Sequence, residues 1–133
     1  MTATLSPTTT DQRLLRTALR LDAVASGALG VACAAGAGVL DELLGLPTGL
    51  LVGVGVFLVV FAAGLVVLAA RRPVPRGGTA VVVLGNAAWV LMSVALVIGA
   101  WDRLTVLGVV VVLAQAAAVA VFADLQWAGS RRR

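Results

Sequence analysis

The stretch LLVGVGVFLVVFAAGLVVLAA, Leu50–Ala70, decides the fold. Its 21 residues contain no charge, no amide and no hydroxyl. As a helix it runs ~32 Å at ~1.5 Å per residue, enough to cross a hydrocarbon layer of ~30 Å. Fourteen of the 21 are Leu, Val or Phe. Each of these favours insertion by a few tenths of a kcal/mol, which sums to roughly several kcal/mol.

Three more stretches repeat the pattern, so the expected spans are 19–40, 50–70, 80–100 and 104–123. The chain is 61% hydrophobic and 12% charged with mean hydropathy +1.08, leaving too little polar surface for four helices in water. The Val-rich run 109–112 would suit a strand in water, but an unpaired strand cannot stand in hydrocarbon, so a helix is expected there too. Short connections then give an all-α membrane protein, an up-down four-transmembrane-helix bundle over 11–127. A disordered N-terminal tail is expected over 1–10 and a basic C-terminal tail over 128–133.

The formal net charge is +4 and every cation is Arg. In a soluble chain that balance would point to nucleic acid. Here the arginines flank apolar spans, so topology and anionic lipid headgroups account for them and no nucleic-acid partner is expected. Arg13, Arg16 and Arg20 precede the first span, Arg71, Arg72 and Arg76 follow the second, and Arg131, Arg132 and Arg133 end the chain. Only Arg103 lies elsewhere, so nine of ten share one side if the termini and middle loop are cytoplasmic. The positive-inside rule selects that arrangement, a multi-pass protein of the bacterial inner membrane. With one cysteine, Cys33, and no His, a thiol-pair redox centre and a His-ligated haem or zinc site are excluded within one chain. Ser26 and Ser93 have no base and no Lys exists for a phosphate loop, so no catalytic activity and no cofactor are expected.

Helix ends and contacts are also readable. Thr9 and Gln12 have capping-box spacing, while Thr48 and Thr79 are placed to cap the second and third spans. Asp41 and Glu42 read as solvated loop charges. Ser26, Gly30, Ala34 and Gly38 form a small-xxx-small row that lets another helix approach closely. The halves echo each other: Asp41, Leu43 and Leu46 match Asp102, Leu104 and Leu107 at one offset, and Asp22-Ala23 matches Asn86-Ala87 at a slightly longer one. That echo suggests a duplicated two-helix hairpin in parallel orientation.

Polar groups at membrane depth are functional candidates because an unpaired one is costly. Asp22, Asn86 and Asp124 are expected toward the cytoplasmic mouth in one polar cluster, with Gln115, near the midplane, as its further neutral ligand. Asp22 is expected near the interface, solvated and ionised, with Arg71, Arg72 or Asn86 as partner. The cluster serves either as a cation or proton site or as interhelical hydrogen bonding that sets register.

With Leu21-Asp22-Ala23, the Asp41–Pro47 loop, Arg71-Arg72-Pro73 and Asn86-Ala87-Ala88-Trp89 in view, the chain resembles the uncharacterised small four-helix integral membrane proteins of actinobacterial type. That resemblance implies a bacterial inner-membrane address and no activity. The chain is also similar to small multidrug transporters in size and helix number. Those carry a Glu mid-way along the first span and insert in both orientations, whereas this first span has no Glu and the arginine bias is one-sided.

Three readings follow. The first is a non-catalytic membrane protein acting through helix packing, as a homo-oligomer or as accessory to a membrane-protein partner. The alternative is a small cation- or proton-coupled transporter or channel built on Asp22 and Asn86. The third, a lipid- or quinone-binding module, requires a lipid-facing groove beside Trp89.

Overall fold

The computed structural model of the chain describes residues 7–131. Five helices occupy them: α1 (Pro7–Ala35), α2 (Ala37–Leu44), α3 (Thr48–Ala70), α4 (Arg76–Gly99) and α5 (Val106–Arg131). Four segments are long and apolar enough to span a bilayer, Arg13–Ala35, Thr48–Ala70, Arg76–Gly99 and Val106–Ser130. No strand occurs among the described residues, and 109–112 is helical within α5. The protein is an all-α membrane bundle.

Several boundaries differ from those expected. Helix α1 begins at Pro7, so 7–10 is helical rather than tail. Proline suits a first helical turn, where its missing N–H has no intrahelical acceptor to lose. Residues 1–6, 132–133 and the side chains of 7–12 and Arg131 lie outside what is described, and with them the capping box and the C-terminal arginine cluster.

The first span ends at Ala35 and does not reach Leu40. Gly36 closes α1 by donating its N–H to Ala32 O (2.8 Å), and its carbonyl accepts from the amides of Val39 and Leu40 to open α2. Gly45 ends α2 with φ +75°, and a Cβ there would strike the Arg103 carbonyl oxygen. Only glycine adopts that left-handed cap in so close a space.

Thr48 and Thr79 are not caps. Pro47 and Pro75, both extended, take the positions before α3 and α4. Asp41 and Glu42 lie in the last turn of α2 rather than in the loop; Thr48 Oγ1 donates to Asp41 Oδ2 (2.8 Å) and the Glu42 amide to Asp41 Oδ1 (2.7 Å), so Asp41 ties the end of α2 to the start of α3. Thr79 lies a turn inside α4, buried, with Oγ1 donating to Pro75 O (2.9 Å). The threonine that caps is Thr105, whose Oγ1 accepts from the Gly108 amide at the start of α5 (2.9 Å). Its hydroxyl also donates to Leu43 O and its amide to Leu44 O, tying the second hairpin's turn to α2. Helix α5 continues past Ala123 to Arg131, taking in the start of the expected tail.

The spanning helices form a ring in the order α3, α1, α5, α4. Helix α1 packs along both α3 and α5, and α5 along α4, while α4 and α3 meet at only a few positions. Consecutive helices are therefore neighbours within each hairpin but barely so across the middle loop. That loop holds Pro73 and Pro75 with Val74 buried between them. Arg16 fastens α3 to α1 instead, donating from Nε to Ala69 O (2.8 Å) and from Nη2 to Arg71 O (3.0 Å), at carbonyls the helix end leaves open. Two apolar clusters brace the ends, one around Leu15, Leu19, Leu65 and Val82, the other around Cys33, Leu46, Leu51 and Val112.

The small-residue row on α1 is real in its middle. A Cβ on Gly30 would lie 2.8 Å from Gly55 O, and one on Gly55 would lie 2.5 Å from Ala34 N and 2.6 Å from Gly30 O. Gly30 and Ala34 thus seat the backbone of α3. Ser26 serves a hydrogen bond instead, and Gly38 falls beyond the break, exposed with nothing near it. Gly55→Val should lower stability in detergent by about 1–3 kcal/mol, the usual cost of overpacking. Gly53→Ala, where a Cβ would meet open space, should cost far less; thermal unfolding of the two variants checks the contrast.

Candidate functional site

Two polar layers lie between the apolar ends. The inner one centres on Asp22, which is 0% exposed. Its Oδ1 accepts from Ser26 Oγ (2.9 Å), one turn along α1. Its Oδ2 accepts from Asn86 Nδ2 on α4 (2.8 Å) and from Gln126 Nε2 on α5 (2.9 Å). Asn86 Nδ2 also donates to Gln126 Oε1 (3.0 Å), which closes a ring of three side chains from three helices. The donors to Asp22 are neutral, and Arg71 and Arg72 are exposed at the bundle end. The expectation of a solvated Asp22 near the interface is therefore corrected. Asp22 lies nine residues beyond Arg13, about 14 Å along the helix, and its acceptors are filled from within the chain.

The second layer is built on Gln115. Its Oε1 accepts from Trp89 Nε1 (2.8 Å), and its Nε2 donates to Ser93 Oγ (3.0 Å) and Val112 O (2.8 Å). Ser93 Oγ donates to Trp89 O (2.8 Å). Of the four residues expected in one cluster, Asp22 and Asn86 come together, Gln115 joins a separate network, and Asp124 is exposed and belongs to neither. Gln126 occupies the place expected of Asp124. The two are two residues apart, so at ~100° each they face opposite sides of α5. The signal for Gln126 was its spacing: it follows Gln115 by eleven residues, which returns to within ~20° of the same face.

Around these layers the bundle is hollow. A cavity of about 230 Å³ is lined by Ser26, Phe57, Phe61, Gly85, Asn86 and Val119 among others. A second of about 270 Å³ lies toward Leu46, Leu51, Met92 and Val112. Leu29, Trp89 and Gln115 border both. The first reaches the seam where α3 and α4 fail to pack. There Phe57 stacks on Trp89 (centroids 5.9 Å, planes 7° apart) and on Phe61 (6.0 Å), bridging the gap with aromatic faces. Phe57 is half exposed, so the seam faces the lipid. This is the groove beside Trp89 that the third reading required. No grouping of three or more His, Cys, Asp or Glu side chains able to hold a metal ion occurs among the described residues.

Comparison with protein-family models, curated proteins and solved structures gives no match, so the geometry carries the functional argument by itself.

Removing Gln126 takes a donor from the buried Asp22 side chain and an acceptor from Asn86, a loss of about 1–3 kcal/mol where a buried polar group is left short. Gln126→Leu should lower stability by that order, while Asp124→Asn should stay within about 0.5 kcal/mol of the parent, as exposed substitutions do. Unfolding of both variants in detergent measures the difference.

Proposed function

We propose that this is a non-catalytic protein of the bacterial inner membrane that binds a hydrophobic molecule from the bilayer at the seam between α3 and α4. The observation that carries the reading is the seam itself. Two helices joined by a short loop stand apart at membrane depth, and two apolar cavities lie behind the gap. The ~150 Å³ apolar cavity that binds benzene in an engineered core sets the scale; each cavity here exceeds it.

The packing reading is weaker in its oligomeric form. Gly30 and Ala34 are already engaged by α3 within the chain, and Gly38 is exposed but outside the span. An accessory role remains compatible with ligand binding, since a protein that holds a lipid can present it to a partner. The transport reading loses its anchor, because Asp22, Asn86 and Gln126 bond to one another and Gln115 bonds to a separate set. Orientation follows from the arginines, with both termini, the loop 71–75 and the start of α4 in the cytoplasm.

Two experiments test this. With Trp101→Phe and Trp127→Phe leaving Trp89 as the one indole, brominated phospholipid or fatty-acid chains should quench it in nanodiscs, and an apolar competitor should relieve the quenching. Trp89 emission indifferent to brominated chains would remove the seam from consideration. For orientation, Gly77→Cys and Asp102→Cys in a Cys33→Ala background should differ in intact cells. An impermeant maleimide should label the Asp102→Cys variant from outside and leave the Gly77→Cys variant unlabelled; the reverse pattern would invert the topology.

A further inference from the structure

The chemistry of the molecule bound at the seam can be read from one atom, on the reading that the seam is a binding site. Asn86 is 3% exposed and lines the cavity of about 230 Å³. Its Nδ2 is committed to Asp22 Oδ2 and to Gln126 Oε1. Those two acceptors fix the amide's orientation, since exchanging O and N would set oxygen against oxygen twice. Oδ1 is therefore the branch turned away from Asp22 and Gln126, and it receives no hydrogen bond from the described residues.

The other polar groups on that cavity are taken. Ser26 gives its hydroxyl proton to Asp22, Trp89 gives its N–H to Gln115, and Gln115 gives its amide protons to Ser93 and Val112 O. Among the side chains that line the cavity, Asn86 thus brings a buried acceptor and none brings an uncommitted donor. A ligand that fits must bring a donor. A quinone or ester carbonyl brings an acceptor to an acceptor. A phosphate or carboxylate would have to shed its water in an apolar cavity with no donor to give it. An ammonium would have to shed its water in an apolar pocket where both oxygens of Asp22 are already bonded.

We infer that the cavity beside Asn86 selects a neutral, hydroxyl-headed amphiphile, a long-chain alcohol in the chemical sense, whose O–H donates to Asn86 Oδ1. Its chain leaves past Phe57 and Phe61 through the α3–α4 seam. Isoprenoid alcohols, fatty alcohols and diacylglycerols share that head.

The test uses the full chain with Trp89 as its single indole, in nanodiscs, reading relief of quenching by brominated lipid. The probes are cetyl alcohol, its methyl ether and hexadecane, compared at equal concentration in the bilayer, with farnesol and a diacylglycerol to separate the sources. The alcohol should compete about tenfold or more better than the ether or the alkane, because only it satisfies the buried acceptor. Equal competition by all three overturns the hydroxyl inference and leaves the seam standing. Failure of all probes, with Trp89 unquenched, overturns both. Asn86→Leu should abolish the preference while keeping apolar binding; if that variant does not fold, the selectivity of the parent chain still decides.

Discussion

A carboxylate in hydrocarbon can be satisfied only by its own protein, because the surrounding solvent donates nothing. Asp22 imposes that condition on this bundle. Helix α1 must turn Asp22 and Ser26 inward, α4 must present Asn86 and α5 must present Gln126, and these demands fix the rotation of three helices. What faces outward follows from the same rotation: Leu21 and Val24 on α1, Leu84 on α4 and Val121 on α5 are all exposed, to lipid rather than to water. Helices α1 and α4 do not pack side by side. The Asp22–Asn86 bond therefore spans the diagonal of the ring and sets its width.

Helix α3 is exempt from this condition and is held differently. Between Leu50 and Ala70 it has no polar side chain to contribute. It is attached by contact, with Gly55 against Gly30 and Ala34, and by Arg16 on its last carbonyls. Both attachments join α3 to α1. Nothing of comparable strength joins it to α4, where the Phe57–Trp89 stack bridges the gap. The seam is thus a consequence of which helices carry hydrogen-bonding groups, and the cavities lie where an unpolar helix faces a polar one across a gap.

This division explains what the sequence could and could not reveal. The spans were legible because length and hydropathy act alone at membrane depth, and Asp22 and Asn86 were legible because intramembrane polar groups must find each other. Gly30 and Ala34 were legible as a close-packing face, though not that the partner was α3 of the same chain. Helix ends were read less well. Thr48 and Thr79 have the residue type of a cap, but the preceding prolines took the position, while Thr105 follows a turn whose shape depends on Leu43 and Leu44. Gln126 was missed because a span counted from the apolar run stopped at Ala123, whereas α5 runs on and keeps Gln126 in the layer of Asp22. The cavities were out of reach of any periodicity, since they arise from two helices not meeting.

The likeness of the two halves adds a last step. An offset of 64 sets Asp22 against Asn86, and the two are bonded to each other. Two acids there would repel; an acid facing an amide gives a donor to an acceptor. The same offset sets Gln126 against Ala62, Trp89 against Ala25 and Ser93 against Leu29, while Ser26, Phe57 and Phe61 fall against Val90, Val121 and Leu125. Ala62 is buried against Gly27, a contact a glutamine could not make without parting α1 from α3. The asymmetry therefore does two things at once. It keeps the first hairpin closed by small residues, and it places the amides Asn86, Gln115 and Gln126 on the second, where Asn86 turns its oxygen away from Asp22 and Gln126.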